Sequence, residues 1–351
     1  MTHPIPTLPG VLTATEVTAS AEHLASLQRA SGMIPWFPGG HCDPWNHVES
    51  AMALDVAGLH DAAAAAYDWM ATIQRPDGAW HNYYVPDDAG DATVSERKID
   101  TNVCAYVATG ALHHALSAPG RDRRDRAARR LWPMVDAALG FVLGHRRPDG
   151  LILWAVEEDD RPWDYALLTG TCSIQHSLRC GVELAALAGH DRPEWAAAAS
   201  VMRSLVTETP EAFEPKERWA MDWYYPVLTG AIPAHLGKAR LAEGWPTFVM
   251  DGLGVRCVHD EPWVTASETA EASIAHAAIG DLDTAVDLLR WTRGHRRDDG
   301  SYWTGIVHPD GIVFPDREHS SYTAAAVILA ADTICGVTPG SRLFRAGGLS
   351  H

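Results

Sequence analysis

Four segments of the chain end alike. "LQRASGMIPW" (27–36), "IQRPDGAW" (73–80), "HRRPDGLILW" (145–154) and "HRRDDGSYW" (295–303) each follow a helical stretch, place a glycine at 32, 78, 150 or 300, and then deliver a tryptophan. The glycine suits the left-handed residue that caps a helix, and Asp–Gly makes the turn that follows. The tryptophan then projects from the loop. Units of roughly fifty residues that close in this way are helical hairpins, and hairpins of this kind bury a core only by stacking on their neighbours. About six of them fit the 351 residues.

Between these closures, alanine-rich segments with apolar residues at helical spacing cover 14–29, 45–58, 61–74, 101–117, 127–145, 172–189, 194–207, 264–279, 282–296 and 320–334. Thr13 with Glu16 forms a capping-box pattern, and Asp281 precedes "LDTAVDLL". Alternating β-branched runs are few and short, as in "GLILWAV" and "GIVF". The expectation is an all-α protein with small hairpins in its loops, one domain over 1–351, with 1–12 and 338–351 as irregular tails. The segment "DWMATIQRPDGAW" resembles the glutamine–tryptophan repeat of squalene-cyclase-type and prenyltransferase-β-type proteins. That resemblance implies an (α/α)6 toroid, twelve helices in two concentric rings. Toroidal glycoside hydrolases carry similar loop-end patterns, so the repeat speaks for architecture more than for chemistry.

Composition narrows the partners. A formal charge of −17 argues against nucleic acid or an anionic membrane, which reward clustered Lys and Arg. The one basic run, Arg121 to Arg130, is broken by Asp122, Asp125 and alanines and reads as a solvated helix start. No signal-peptide pattern and no apolar run of spanning length is visible. The six cysteines (42, 104, 172, 180, 257, 335) are scattered without a C-x-x-C, as in a reduced, cytoplasmic protein.

Aromatic residues crowd the expected loops. Trp36, Trp45, Trp80, Tyr83, Tyr84, Trp154, Trp163, "DWYY" (222–225), Trp263, Tyr302 and Trp303 would line one funnel if the loops share an end, although each tryptophan could equally plug the loop layer. Flat indoles stack on sugar faces, and π-faces also stabilise cations. Carboxylates lie among them: Asp43, Glu49, Asp100, Asp222, Glu261, Glu268, Glu271 and Glu318. "DPWNHVE" and "PWVTASETAE" are both acid-bearing helix starts with a Pro–Trp pair. An ordinary N-cap accounts for Asp43, and an acidic first turn for Glu268, as well as catalysis does. Facing each other across a mouth, they would supply the two carboxyls that glycosidic hydrolysis needs.

The blocks "IPWFPGGHCDPWNHVESAMAL", "MDWYYPVLTGA", "GLGVRCV", "PWVTASETAE" and "DGSYWTG" together resemble an actinobacterial family often labelled prenyltransferase, which includes the methylmannose polysaccharide hydrolases, α-1,4-endomannanases. The resemblance implies a catalytic pair at Asp43 and Glu268. It departs at Asn46, where the family pattern has a second acid, which leaves the role of this loop open. The expected substrate ligands are Trp36, Trp45, His47, Glu49, Tyr83, Asp100, Asp222, Trp223, Tyr224, Trp263, Tyr302 and Trp303, and the expected partner is an oligo- or polysaccharide. No cofactor is expected, for no nucleotide loop or nucleophile elbow is present.

A metal held by His41, Asp43, His47 and Glu49 is disfavoured, because His47 and Glu49 are two apart on a helix and point to different faces. His47 reads instead as a ligand for a substrate hydroxyl or a neighbouring carboxylate. The rival function is a terpenoid cyclase, with "EEDD" (157–160) as an approximate proton-donor motif and "DDAGD" (87–91) as a loose diphosphate motif. A charged hairpin tip explains "EEDD" equally. A lectin-like scaffold would keep the aromatics and hold the carboxylates far apart.

Overall fold

A computed structural model describes residues 3–86, 92–159 and 161–349. Among them are twelve α-helices: α1 (Ala14–Leu27), α2 (Pro44–Val56), α3 (His60–Ile73), α4 (Thr101–Ser117), α5 (Arg121–Gly144), α6 (Leu168–Ala188), α7 (Pro193–Glu208), α8 (Ala220–Leu228), α9 (Ala234–Phe248), α10 (Ala266–Ala278), α11 (Leu282–Trp291) and α12 (Ser321–Cys335). The two caps read from sequence are present. Thr13 and Glu16 bond reciprocally, and Asp281 accepts from the Thr284 N–H at 3.4 Å.

Burial sorts the helices into two sets. Every residue of α2 is buried, whereas α11 buries Ala285, Leu288 and Leu289 alone. A helix covered all round belongs inside, and one with a single covered stripe belongs outside. The contacts agree: α2, α4, α6, α8, α10 and α12 each pack on the next, and α12 packs back on α2, closing a ring. The odd-numbered helices lie outside, α5 on α4 and α6, α11 on α10 and α12, α1 on α12 and α2. No helix among the described residues is long and apolar enough to cross a membrane.

The repeated glycines do something other than cap helices. The caps are Gln28, Gln74, His145 and Arg296. Gly32, Gly78, Gly150 and Gly300 instead close the turns that follow, donating to the carbonyls of Arg29, Arg75, Arg147 and Arg297 at 2.9 to 3.1 Å, with φ between 85° and 99°. A Cβ on Gly32 would stand 2.2 Å from the Ala65 carbonyl oxygen, one on Gly78 2.2 Å from that of Ala137, and one on Gly300 2.5 Å from that of Ala19. Each turn is thus seated on the next outer helix, α3, α5 and α1 respectively. Gln28 and Gln74 fasten it by donating to the Ala62 and Met134 carbonyls, both at 2.9 Å.

Two helices lie where sequence showed no alanine-rich pattern. Both α8 and α9 carry an internal proline, Pro226 and Pro246. The loops also build more sheet than expected. Beyond the hairpin of β1 (Tyr83–Pro86) and β2 (Ala92–Glu96), and the pair β3 (Ile99–Asp100) and β4 (Ala155–Val156), a five-stranded antiparallel sheet joins the loops ahead of α10 and α12. Its order is β5 (Val249–Met250), β6 (Gly254–Arg256), β7 (Trp263–Thr265), β8 (Gly305–Val307), β9 (Ile312–Phe314).

Hydrogen bonds tie the starts of the even-numbered helices together. Ser321 of α12 donates its N–H to the Trp36 carbonyl ahead of α2 (2.7 Å), and Ala266 of α10 to the Thr304 carbonyl ahead of α12 (3.3 Å). Ala220 of α8 donates to Cys257 ahead of α10 (3.0 Å), and the Thr169 hydroxyl of α6 to Asp222 of α8. Thr101 of α4 donates to Trp154 ahead of α6 (2.9 Å), while Tyr84 and Cys42, ahead of α4 and α2, exchange bonds of 2.8 and 2.7 Å. All six inner helices therefore begin at one mouth. At the other end, residues 339–344 form 3-10 turns that touch α4, α10 and α12 and bury Leu343 and Phe344.

Candidate active site

Two inner helices bring acids to the mouth. Asp43 is the N-cap of α2: Oδ1 accepts the Asn46 N–H at 2.9 Å, and Oδ2 accepts the Asn46 side-chain amide. The capping role is therefore real. The carboxyl is nonetheless 5 % exposed, and burial lifts its pKa above the ordinary value against the Asn46 bonds and the nearby His41. Glu268, third residue of α10, is half-buried, and the hydroxyls of Thr265 and Ser267 both donate to its Oε2.

A second pair lies one turn deeper. Glu49 and Glu271 are each the sixth residue of their helices and are almost fully buried. Tyr106 of α4 donates to Glu49, while Tyr224 and Tyr225 of α8 donate to the two oxygens of Glu271. Burial outweighs these donors and raises Glu49 to about 7 and Glu271 to about 8; for Glu271 the charges of Glu49 and Glu268 add to the rise. Both glutamates line one small internal cavity with Tyr106 and Tyr225. Trp45 stacks on Tyr106 with centroids 3.7 Å apart and planes 14° apart, and lies 6.2 Å from Tyr225. Contacts run from Trp45 to Tyr106 and Tyr225, and from these tyrosines to Glu49 and Glu271.

The rim holds most of the remaining expected ligands. Trp36 Nε1 donates to Glu318 at 3.1 Å, and His41 sits between Trp36 and Tyr83, 5.1 and 4.4 Å away. Asp100 caps α4 and accepts from Trp154 Nε1 at 2.5 Å, burial raising its pKa. Asp222 is in the first turn of α8, its pKa also raised by burial. Trp263 and Trp303 are half-buried, the first 5.6 Å from Phe314 and the second 4.3 Å from the Arg297 guanidinium.

Five expected ligands are corrected, the first being Glu49, buried against the Tyr106 hydroxyl. His47 is fully buried, with Nδ1 accepting from the Ile34 N–H at 3.1 Å and Nε2 2.9 Å from the Ala66 carbonyl, so no nitrogen is left for a sugar. Burial also lowers its pKa to about 4. Tyr302 is 1 % exposed and paired through its backbone with Arg296 behind the rim. Trp223 gives its Nε1 to the Arg240 carbonyl at 3.0 Å and stacks on Phe248. Tyr224 is buried and supports Glu271. Trp80 and Tyr84 are likewise packed inside the loop layer.

The sequence placed Glu271 and Tyr225 among the loop acids and aromatics without a role, and Tyr106 went unnoticed. The i, i+3 spacing of "ETAE" was the available signal for Glu271; Tyr106 lies in an apolar helix and shows none. The motif offered for a cyclase finds no support. Glu158 and Asp159 are exposed, and Glu157 accepts from Trp163 Nε1 at 2.6 Å, while Asp160 and "DDAGD" (87–91) lie outside the described residues.

No family model matches the chain. It is 46% identical over 341 residues, 97% of its length and 92% of the relative's, to the MMP endo-(1,4)-3-O-methyl-alpha-D-mannosidase of Mycolicibacterium hassiacum. Among solved structures it is similar to a wild-type glycosidase (TM-score 0.68, 16% identity, 92% of this chain and 98% of that one). It is also similar to a GH63 mannosylglycerate hydrolase from Thermus thermophilus in complex with glucose (0.67, 13%, 90% and 99%) and to a D-mannose isomerase (0.67, 10%, 91% and 97%). At those identities the structural likeness concerns the fold, which hosts more than one chemistry.

Proposed function

The chain belongs to the family of that endo-mannosidase and is a glycoside hydrolase, and from this premise we propose that it cleaves internal α-1,4 linkages of a 3-O-methylated mannan, with Asp43 and Glu268 as its carboxyl pair. The observation that carries the assignment is their placement: two acids from opposite ends of the sequence, each in or at the first turn of an inner helix, at one shared mouth.

Glycosidic cleavage requires one carboxyl to protonate the leaving oxygen and another to act as base or nucleophile. Asp43, whose burial favours the protonated form, takes the acid role. Glu268, with Oε2 held by two hydroxyls, takes the other. Trp45 offers an apolar face between them, suited to a pyranose ring and its methyl ether. The positive end of α10 favours the negative charge that Glu268 carries as base or nucleophile.

The closed order of the inner helices supports reading the whole chain, 1–351, as one (α/α)6 toroid domain. Four buried thiols among its six cysteines accord with a cytoplasmic setting. Incubating the protein with a 3-O-methylated α-1,4-mannan should release new reducing ends and internal fragments. A polymer left at full length under conditions where the protein stays folded contradicts the substrate assignment.

A further inference from the structure

An open groove lies beside the start of α8, with a volume of about 580 Å³, within the range of small-ligand sites. Its most conspicuous wall is Trp219, 45 % exposed, immediately ahead of the helix. This indole is not on a free loop. The Trp219 backbone N–H donates to the Lys216 carbonyl at 2.9 Å, its backbone bridges Val258, and the flanking bonds from His259 to Arg218 (2.9 Å) and from Ala220 to Cys257 (3.0 Å) hold both sides. Arg218, paired with Asp260 at 3.0 Å, lies over the ring at 5.4 Å. The platform is therefore preorganised, which lowers the entropy lost on binding.

The rest of the groove fits a neutral polyol. Phe213 and Phe248 supply apolar walls, and Asp222 supplies a carboxylate acceptor. Arg240 is fixed by the carbonyls of Asp222 and Trp223, at 2.6 and 2.9 Å, so its remaining N–H donors are aimed rather than mobile. Glu211, Glu214, Glu217 and Glu243 around it disfavour an anionic ligand. Asp222 and Glu268 occupy the same position, the third residue, of two adjacent inner helices, so groove and mouth share one end of the ring.

We propose that this groove is a distal sugar subsite in which Trp219 stacks on a pyranose of the same polysaccharide chain, beyond the bond that Asp43 and Glu268 cleave. The proposal rests on the hydrolase reading above and deepens it: a subsite away from the scissile bond rewards long substrates over short ones.

The test compares kcat/KM on 3-O-methylated α-1,4-manno-oligosaccharides, a tetramer and a dodecamer, for the wild type, Trp219→Ala and Trp219→Phe. The ratio of dodecamer to tetramer should fall roughly tenfold in Trp219→Ala and be partly restored in Trp219→Phe, the size expected for losing one stacked aromatic contact. An unchanged ratio in a folded Trp219→Ala overturns the subsite while leaving the hydrolase reading intact. Failure of the wild type to cleave either oligosaccharide contradicts the hydrolase's substrate reading itself, and the subsite falls with it.

Discussion

At Glu49 and Glu271 burial outweighs the tyrosine hydroxyls that donate to them, and their pKa values rise to about 7 and about 8. In the unfolded chain both titrate near 4.5. The folded state thus binds protons more tightly than the unfolded one. Their contribution is fully present below pH 4.5 and is lost as pH climbs through 7 and 8, a cost on the order of a few kcal/mol for the pair. Buried neutral histidines act at the other end. His47, His113, His176 and His295 are depressed to about 4, chiefly by burial, so their contribution is lost as pH falls from 6.5 toward 4. Glu271→Gln separates the two effects. Its urea midpoint should exceed that of the wild type at pH 8.5, with the advantage shrinking toward pH 5; an equal difference at both pH values contradicts the account. Asp43 and Glu268 were legible in the sequence, because a charged residue opening an alanine-rich helix stands out, whereas Glu49 and Glu271, one turn further in, lack that mark. Tyr106 did not show at all and Tyr225 only as one aromatic of "DWYY", since both meet Glu49 and Glu271 from other helices of the ring.

The turn closed by Gly32, Gly78, Gly150 or Gly300 is the unit that joins one outer helix to the next. Gly78 combines a φ of 94° with an approach that leaves no room for a Cβ against Ala137. Gly78→Ala should therefore cost roughly 2–4 kcal/mol, the sum of left-handed strain and overpacking. Gly140, inside α5 with open space around its Cα, is the control: Gly140→Ala should stabilise by about 0.5–1 kcal/mol. Urea titrations of the two variants check both signs. The same turn explains which elements the sequence disclosed. Where it or an alanine-rich face is present, the helices fall within a few residues of expectation, as for α4 over 101–117. Between Gly150 and Gly300 the turn is absent, and there α8 and α9 went unread. Pro226 and Pro246 break the pattern; burial in the ring sustains α8 despite its proline, and α9 packs outside on α8. Of the five-stranded sheet only β9 showed, in "GIVF"; the other strands, of two or three residues, are too short to show a period of two.

Ring closure decides what the molecule can do. The loop after α11 seats Gly300 on α1, and α12 packs on α2, so the last hairpin meets the first. Residues far apart in sequence then share a mouth whose wall is built by the loops, and the deep glutamates lie one turn further in, lining a small cavity with Tyr106. On the proposed assignment the chemistry lies at Asp43 and Glu268, with Glu49 and Glu271 as buried support. The most direct test is the turnover of Asp43→Asn and Glu268→Gln on the methylated mannan, with thermal unfolding measured alongside. Asparagine is as good an N-cap as aspartate, so Asp43→Asn removes the acid and keeps the helix start. Each variant should lose at least about 100-fold in kcat while melting within a few degrees of the wild type. Either variant folded and turning over near the wild-type rate contradicts the assignment of that carboxyl, and both doing so contradicts the site.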